Sequence, residues 1–231
     1  MSNVLNHTNC SKCVHRTWAF DKLTEEELQL IDDHKQERYY SKGETICHEG
    51  EEIRNFLYLR SGLVKLLTTE KNQKEHIISL GKPFDFIGLL SIFSNERHIY
   101  TITAIENSVV CFVDLGIIKK LIRQNGDFAL DFMEKISKIS DDVINTRVSI
   151  NTKQLRGRIA YILMFFADYI YKRNEFELPV SRKEIAQLID MSTENVIRIL
   201  SEFRKDGLIA IEGKNIRIND PERLNRVYEL G

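Results

Sequence analysis

The chain has 231 residues, 42% hydrophobic and 29% charged, the balance of a globular protein with one or two domains rather than a disordered or fibrous chain. Its formal charge is -1, and residues 153–231 carry 14 Lys and Arg against 12 Asp and Glu. Bulk charge therefore marks no nucleic-acid binder, and any DNA contact must come from a local arrangement of side chains.

The opening MSNVLNHTNC lacks the apolar core of a secretion signal, and no apolar run reaches the length of a membrane span. A cytoplasmic protein is expected, with its four cysteines acting as thiols, ligands or redox groups rather than as a disulfide framework. The first twenty residues read as irregular and hold Cys10 and Cys13. A short helix is predicted from Thr24, with Glu27 completing a capping box and Leu23 and Leu28 forming a hydrophobic staple.

From Tyr39 to Val113 short β-rich runs alternate with turn residues: Ile53–Leu59, Leu63–Thr68, His76–Leu80, Tyr100–Ile105 and Val109–Val113. Strands so short and so evenly spaced predict a small barrel or sandwich. Helical spacing returns after Asp114. Phe128, Phe132, Ile136, Ile139 and Val143 make an apolar stripe down a long helix. That stripe has two readings, packing against the chain's own barrel or a seam between two copies. Asn151 and Gln154 predict a capping box, and with it a break, a domain boundary and a fresh helix through Ile159, Ile162, Leu163 and Phe166.

Residues 180–206 carry the strongest signal. Ser181 and Glu184 form a capping box, a short helix through Ile185, Ala186, Leu188 and Ile189 follows, and Asp190-Met191-Ser192 makes a turn. A second helix runs from Thr193 to Asp206, capped by Ser192 and ended by Gly207. Two short helices joined by three residues make a helix-turn-helix. In the second helix Val196, Ile199, Leu200 and Phe203 share one stripe, and Glu194, Ile197, Arg198 and Ser201 lie opposite. A helix in the major groove needs that division. Arg198 can donate two hydrogen bonds to guanine, and Glu194 can accept one from cytosine N4. Arg182, Lys183 and the helix starts at Ser192 and Thr193 suit phosphates. The plainer reading makes Glu194 and Arg198 an i,i+4 surface ion pair. Two short strands around Glu212–Asn215 then make a wing with Lys214 at its tip.

Along nearly its whole length the chain resembles the CRP/FNR family of bacterial transcription regulators, most specifically in SRKEIAQLIDMSTENVIR (residues 181–198) followed by Gly207-Leu208-Ile209 and the wing. The resemblance implies an α+β architecture. Residues 1–126 would hold an N-terminal β-roll sensor domain, double-stranded β-helix-like. Residues 127–151 would form a long dimerisation helix, and residues 152–231 a winged helix-turn-helix. It also implies a homodimer on a palindromic stretch of double-stranded DNA, with RNA polymerase as a further partner. Asp190 departs from the turn glycine of many members, and Asp tolerates a left-handed backbone better than most residues.

The family's cyclic AMP cassette resembles Phe86-Ile87-Gly88-Leu89-Leu90 and Arg97–Thr101, but Leu89 stands in the place of the ribose-binding glutamate and His98 near that of the phosphate-binding arginine. Cyclic AMP is not expected, because a ribose hydroxyl left unpaired there costs about 1–3 kcal/mol. The oxygen-sensing branch holds an iron–sulfur cluster, and the resemblance offers Cys10, Cys13 and Cys111 as ligands. Its remaining cysteine would fall near Trp18 and Ala19, leaving Cys47, His15 or His7 as substitutes. Cys47 and Cys111 read equally well as small buried hydrophobes, and Cys10 with Cys13 as a zinc or dithiol site.

Two other function classes fit the sequence less well. A ligand-binding module without DNA function would leave the outward Arg198 and the wing without a purpose. An enzyme would need a motif that is absent: there is no P-loop, nucleophile elbow or dinucleotide fingerprint, and the six histidines are scattered.

Overall fold

The computed structural model describes residues 3–4, 10, 13, 20–69 and 75–231. The chain divides into two units, Met1–Asp142 and Val143–Gly231.

The first unit contains two sheets. Strands β1 (Asn3–Val4), β2 (Lys35–Tyr40), β4 (Asn55–Ser61), β7 (Phe86–Ile87) and β9 (Ser108–Asp114) form one, in the order β1-β2-β9-β4-β7. The second contains β3 (Thr45–Cys47), β5 (Val64–Thr69), β6 (Glu75–Gly81) and β8 (Thr101–Ala104), in the order β3-β8-β5-β6. All the strand pairings are antiparallel.

The central strands β4 and β9 read as continuous apolar runs because both of their faces are buried. Leu57, Leu59, Val110 and Phe112 join a core with Ile46, Val64 and Ile102 from the other sheet. Phe56, Tyr58, Cys111 and Val113 point the opposite way, into a core shared with helices. Between β4 and β5 the chain turns at Gly62, whose φ is +87°, and a Cβ there would run into Ser108 and the Asn107 carbonyl.

Helix α1 (Glu25–Asp33) has the predicted box, with the Glu27 amide donating to Thr24 Oγ1 at 3.2 Å and the Thr24 amide to Glu27 Oε2 at 2.9 Å. Leu23 and Leu28 are both buried in the helix-side core. Asp114 caps α2 (Leu115–Gln124).

Helix α3 (Gly126–Thr152) crosses the division between the units. Its first half resolves the two readings of the apolar stripe. Phe128 and Phe132 are buried in the first unit's own core, and Ile136 and Ile139 are partly buried against it. Leu130, Met133, Ile144 and Val148 are instead 54–65% exposed, and they recur at helical spacing along a different line of the same helix.

The second unit begins with a correction. The Asn151–Gln154 capping box does not form: α3 continues through Asn151 to Thr152, and Gln154 precedes α4 (Leu155–Met164) without a side-chain cap bond. A π-helical segment, Phe165–Tyr171, follows and ends on Lys172, whose φ is +51°. Beyond it come β10 (Glu175–Glu177), α5 (Arg182–Leu188), α6 (Thr193–Lys205), β11 (Ile209–Glu212), β12 (Asn215–Ile218) and α7 (Pro221–Leu230). The three strands form a small sheet in the order β10-β12-β11. Among the described residues no helix is long and apolar enough to cross a membrane.

Candidate nucleic-acid interface

Helix α5 starts on a reciprocal cap. The Glu184 amide donates to Ser181 Oγ at 3.2 Å, and the Ser181 amide donates to Glu184 Oε2 at 2.8 Å. Ile185 and Ala186 are buried, which lets α6 pack close. The turn between the helices depends on Asp190, held at φ +49°. Two arginines fix it. Arg158 donates to the Ile189 and Asp190 carbonyls at 3.3 and 3.0 Å, and Arg147 donates to the Asp190 carboxylate at 3.1 Å. Ser192 then caps α6 by accepting from the Asn195 amide at 3.3 Å.

Helix α6 is anchored by Val196, Ile199, Leu200 and Phe203, all nearly inaccessible. Glu194, Ile197 and Arg198 are exposed, Ile197 by 55%, and Ser201 is half-buried. The Glu194 carboxyl lies below its ordinary range because its own backbone amide and the Ser192 hydroxyl hydrogen-bond to it. Arg198 does not turn back to Glu194. It donates to Glu202 Oε1 at 2.5 Å and to Asn195 Oδ1 at 3.3 Å. Glu202 is shared, because Arg156 donates to its other oxygen at 2.7 Å while also binding Asp206 at 2.8 Å. The Glu194–Arg198 pair is thus replaced by a triad whose members come from α4 and α6.

The wing is a hairpin whose two-residue turn, Gly213-Lys214, has φ +63° at the glycine. Lys183 and Lys214 are exposed, and Arg182 is half-buried with its guanidinium 3.5 Å from the Gly213 carbonyl. Arg182, Ile197, Leu200, Ser201, Arg204 and Ile211 line a shallow hollow between α6 and the wing. The structure therefore gathers Arg182, Ser192, Thr193, Glu194, Ile197 and Arg198 on and around α6, with Lys214 at the wing tip. Sequence reasoning missed Arg156 and Arg158, which lie 46 and 32 residues from the groups they bind. Glu202 was visible as the i+4 partner of Arg198.

The cysteines are placed differently. Cys10 Sγ lies 3.2 Å from Lys35 Nζ, and its amide donates to both oxygens of Asp32. Burial pushes the Cys10 thiol up to about 12, with the Asp32 carboxylate adding to the shift. Cys111 is buried in β9 and Cys47 in the core between the sheets, and burial raises each to about 12. Cys10 packs against the helix-side core that contains Cys111, the Cys13 amide donates to the Cys10 carbonyl at 3.3 Å, and Cys47 lies in the other core. Among the described residues no group of three or more His, Cys, Asp and Glu side chains is assembled to hold a metal. The other positions the resemblance offered, His7, His15 and the neighbourhood of Trp18 and Ala19, lie outside the described residues.

In the cassette region Leu89 is buried, and Ser91 Oγ is 2.6 Å from Tyr100 Oη. His98 is half-buried, and burial pulls its pKa below the ordinary value.

Residues 37–125 match the model of the cyclic nucleotide-binding domain, and residues 157–227 match that of the Crp-like helix-turn-helix domain. The chain is 26% identical over 208 residues to the regulatory protein HlyX of Actinobacillus pleuropneumoniae, covering 87% of this chain and 86% of that one. It is 27% identical over 225 residues to the transcriptional activator protein Anr of Pseudomonas protegens, covering 95% and 92%. The structure of FixK2 from Bradyrhizobium japonicum shares the fold, with a TM-score of 0.76 at 21% identity over 84% of this chain and 96% of that one.

Proposed function

This chain belongs to the CRP/FNR family of transcription regulators, and from that premise we propose that it is a homodimeric, cytoplasmic regulator that reads a palindromic operator with α6. One observation carries the reading: α6 buries four apolar side chains behind it and leaves Glu194, Ile197 and Arg198 in water. Arg198, released from Glu202, donates to guanine O6 and N7 in the major groove. Glu194 is held ionised and accepts from cytosine N4, while Ile197 meets a thymine methyl. Arg182, Lys183, Ser192, Thr193 and Lys214 position the head on phosphates.

Residues 1–126 are the effector domain, 127–151 the dimerisation helix and 152–231 the DNA-binding domain. Leu130, Met133, Ile144 and Val148 support a seam between two copies of α3, since exposed apolar side chains at helical spacing gain by pairing. RNA polymerase is the partner the family implies. Leu89 argues against cyclic AMP as the signal, because its buried apolar side chain supplies no acceptor for the ribose. No step of this reading runs through an iron–sulfur cluster. The matched relatives are regulators by name, and catalysis forms no part of the reading.

Arg198→Ala tests it. Equilibrium binding to the operator should weaken by about 1–3 kcal/mol, with the preference at one G·C pair relaxed. A variant that binds as tightly and as selectively as the parent would show that α6 is not the reading helix.

A further inference from the structure

The last turns of α3, from Val143 on, belong to the second unit, so contacts within one unit fix them against the reading head. Two exposed apolar side chains of the seam, Ile144 and Val148, sit on these turns. Their neighbours reach back to the head. Thr146 Oγ1 lies 3.1 Å from Tyr161 Oη of α4, and Ser149 Oγ lies 3.4 Å from Tyr228 Oη of α7. Arg147 donates to Asp190 Oδ2 at 3.1 Å, two residues ahead of the Ser192 cap of α6. The charged contact thus joins the seam to the end of α6 that meets base edges.

Asp190 is more than the turn itself requires. At its φ of +49° a glycine would carry no strain. The backbone has other supports, since Arg158 donates to the Ile189 and Asp190 carbonyls and the Met191 amide donates to the Ala186 carbonyl at 3.0 Å. The carboxylate is therefore free to serve another purpose. The Arg147 and Asp190 side chains are 42% and 48% exposed, so their pair adds little to folding stability. It can still fix an angle, because holding two elements in their bound arrangement beforehand removes freedom that binding would otherwise have to take away.

We propose that the Arg147–Asp190 pair is a positioning contact that sets the half-site spacing the dimer accepts. The proposal rests on the reading of paired half-sites by two copies of α6 joined through α3. In such a dimer the separation of the two reading helices follows from the angle between α3 and the start of α6, which this pair holds. With the pair broken, each head pivots on its hydroxyl contacts, and an operator of the wrong spacing is accommodated at less cost. A duplex with one half-site does not sense the angle.

The test measures binding to the inverted repeat recovered from a random-sequence pool, to the same repeat with one base pair added or removed at its centre, and to a single half-site. Arg147→Gln and Asp190→Asn each remove the charge pair, and Asn keeps the left-handed turn. Each should lower the preference for the selected spacing about fivefold, as one exposed pair is lost from each protomer, with half-site affinity at the parental value. The double variant should lower it no further, because both residues act through one contact. Arg147→Lys, which keeps the charge, should retain most of the parental preference. An unchanged preference in both single variants overturns the positioning contact and leaves the regulator standing. An equal loss of half-site binding also overturns it, because the head's own fold or its base reading is then what suffered. A parent that binds neither paired nor single half-sites overturns both readings.

Discussion

In the first unit Lys35 Nζ lies 3.1 Å from Asp32 and 3.4 Å from Glu37, and all three side chains are at most 3% exposed. In the second, Arg156, Arg198 and Glu202 meet at 2.5–2.7 Å while 33–54% of each side chain remains in water. The same chemistry serves two purposes. A buried ion pair is costly to break, because the remaining charge is stranded where water cannot reach it. An exposed pair contributes about 1 kcal/mol or less and can be exchanged for another partner. The first network ties β2, α1 and Cys10 into one unit. On the proposed reading, the second leaves Arg198 able to exchange Glu202 for a base.

The largest effect should come from Lys35→Ala, which removes the cation that Asp32 and Glu37 share. Unfolding by denaturant should show a loss of about 3–5 kcal/mol; a loss below about 1 kcal/mol would place this network with the surface pairs. Arg198→Ala, the variant expected to damage DNA binding, should sharpen the contrast by changing folding stability by only about 0.5 kcal/mol. A large stability loss there would make Arg198 a structural residue. A similarly small effect is expected at the turn. Asp190→Gly relieves a left-handed backbone but gives up the exposed Arg147 pair, so the net change should stay within about 1 kcal/mol. A fall of several kcal/mol in thermal unfolding would show that the Arg147 bond, rather than backbone geometry, holds the turn.

The helix-turn-helix was legible in the sequence because its determinants are local. Capping boxes span four residues, the apolar stripe of α6 repeats every three or four, and Gly207 marks the end. The two faces of β4 and β9 were less legible. A strand buried on both sides shows no alternation, so the sequence predicts a strand but not which residue joins which core. Strands β3, β7 and β10 are two or three residues long and exist only through their partners. The Asn151–Gln154 box failed because α3 continued helically through Asn151. The start of α7 was readable and missed: Asp220 caps it and Pro221 occupies its first turn. The Arg156–Glu202–Arg198 triad needed coordinates, since residues far apart in sequence share a partner only once the fold brings them together.

The central claim is that α6 reads bases as one of a symmetric pair. Selecting bound duplexes from a random-sequence pool tests it most directly. The account predicts recovery of an inverted repeat whose half-sites are about 10 base pairs apart, centre to centre, with a strongly preferred G·C pair in each. Recovery of no preferred sequence, or of a single unpaired site bound by a monomer, would contradict it.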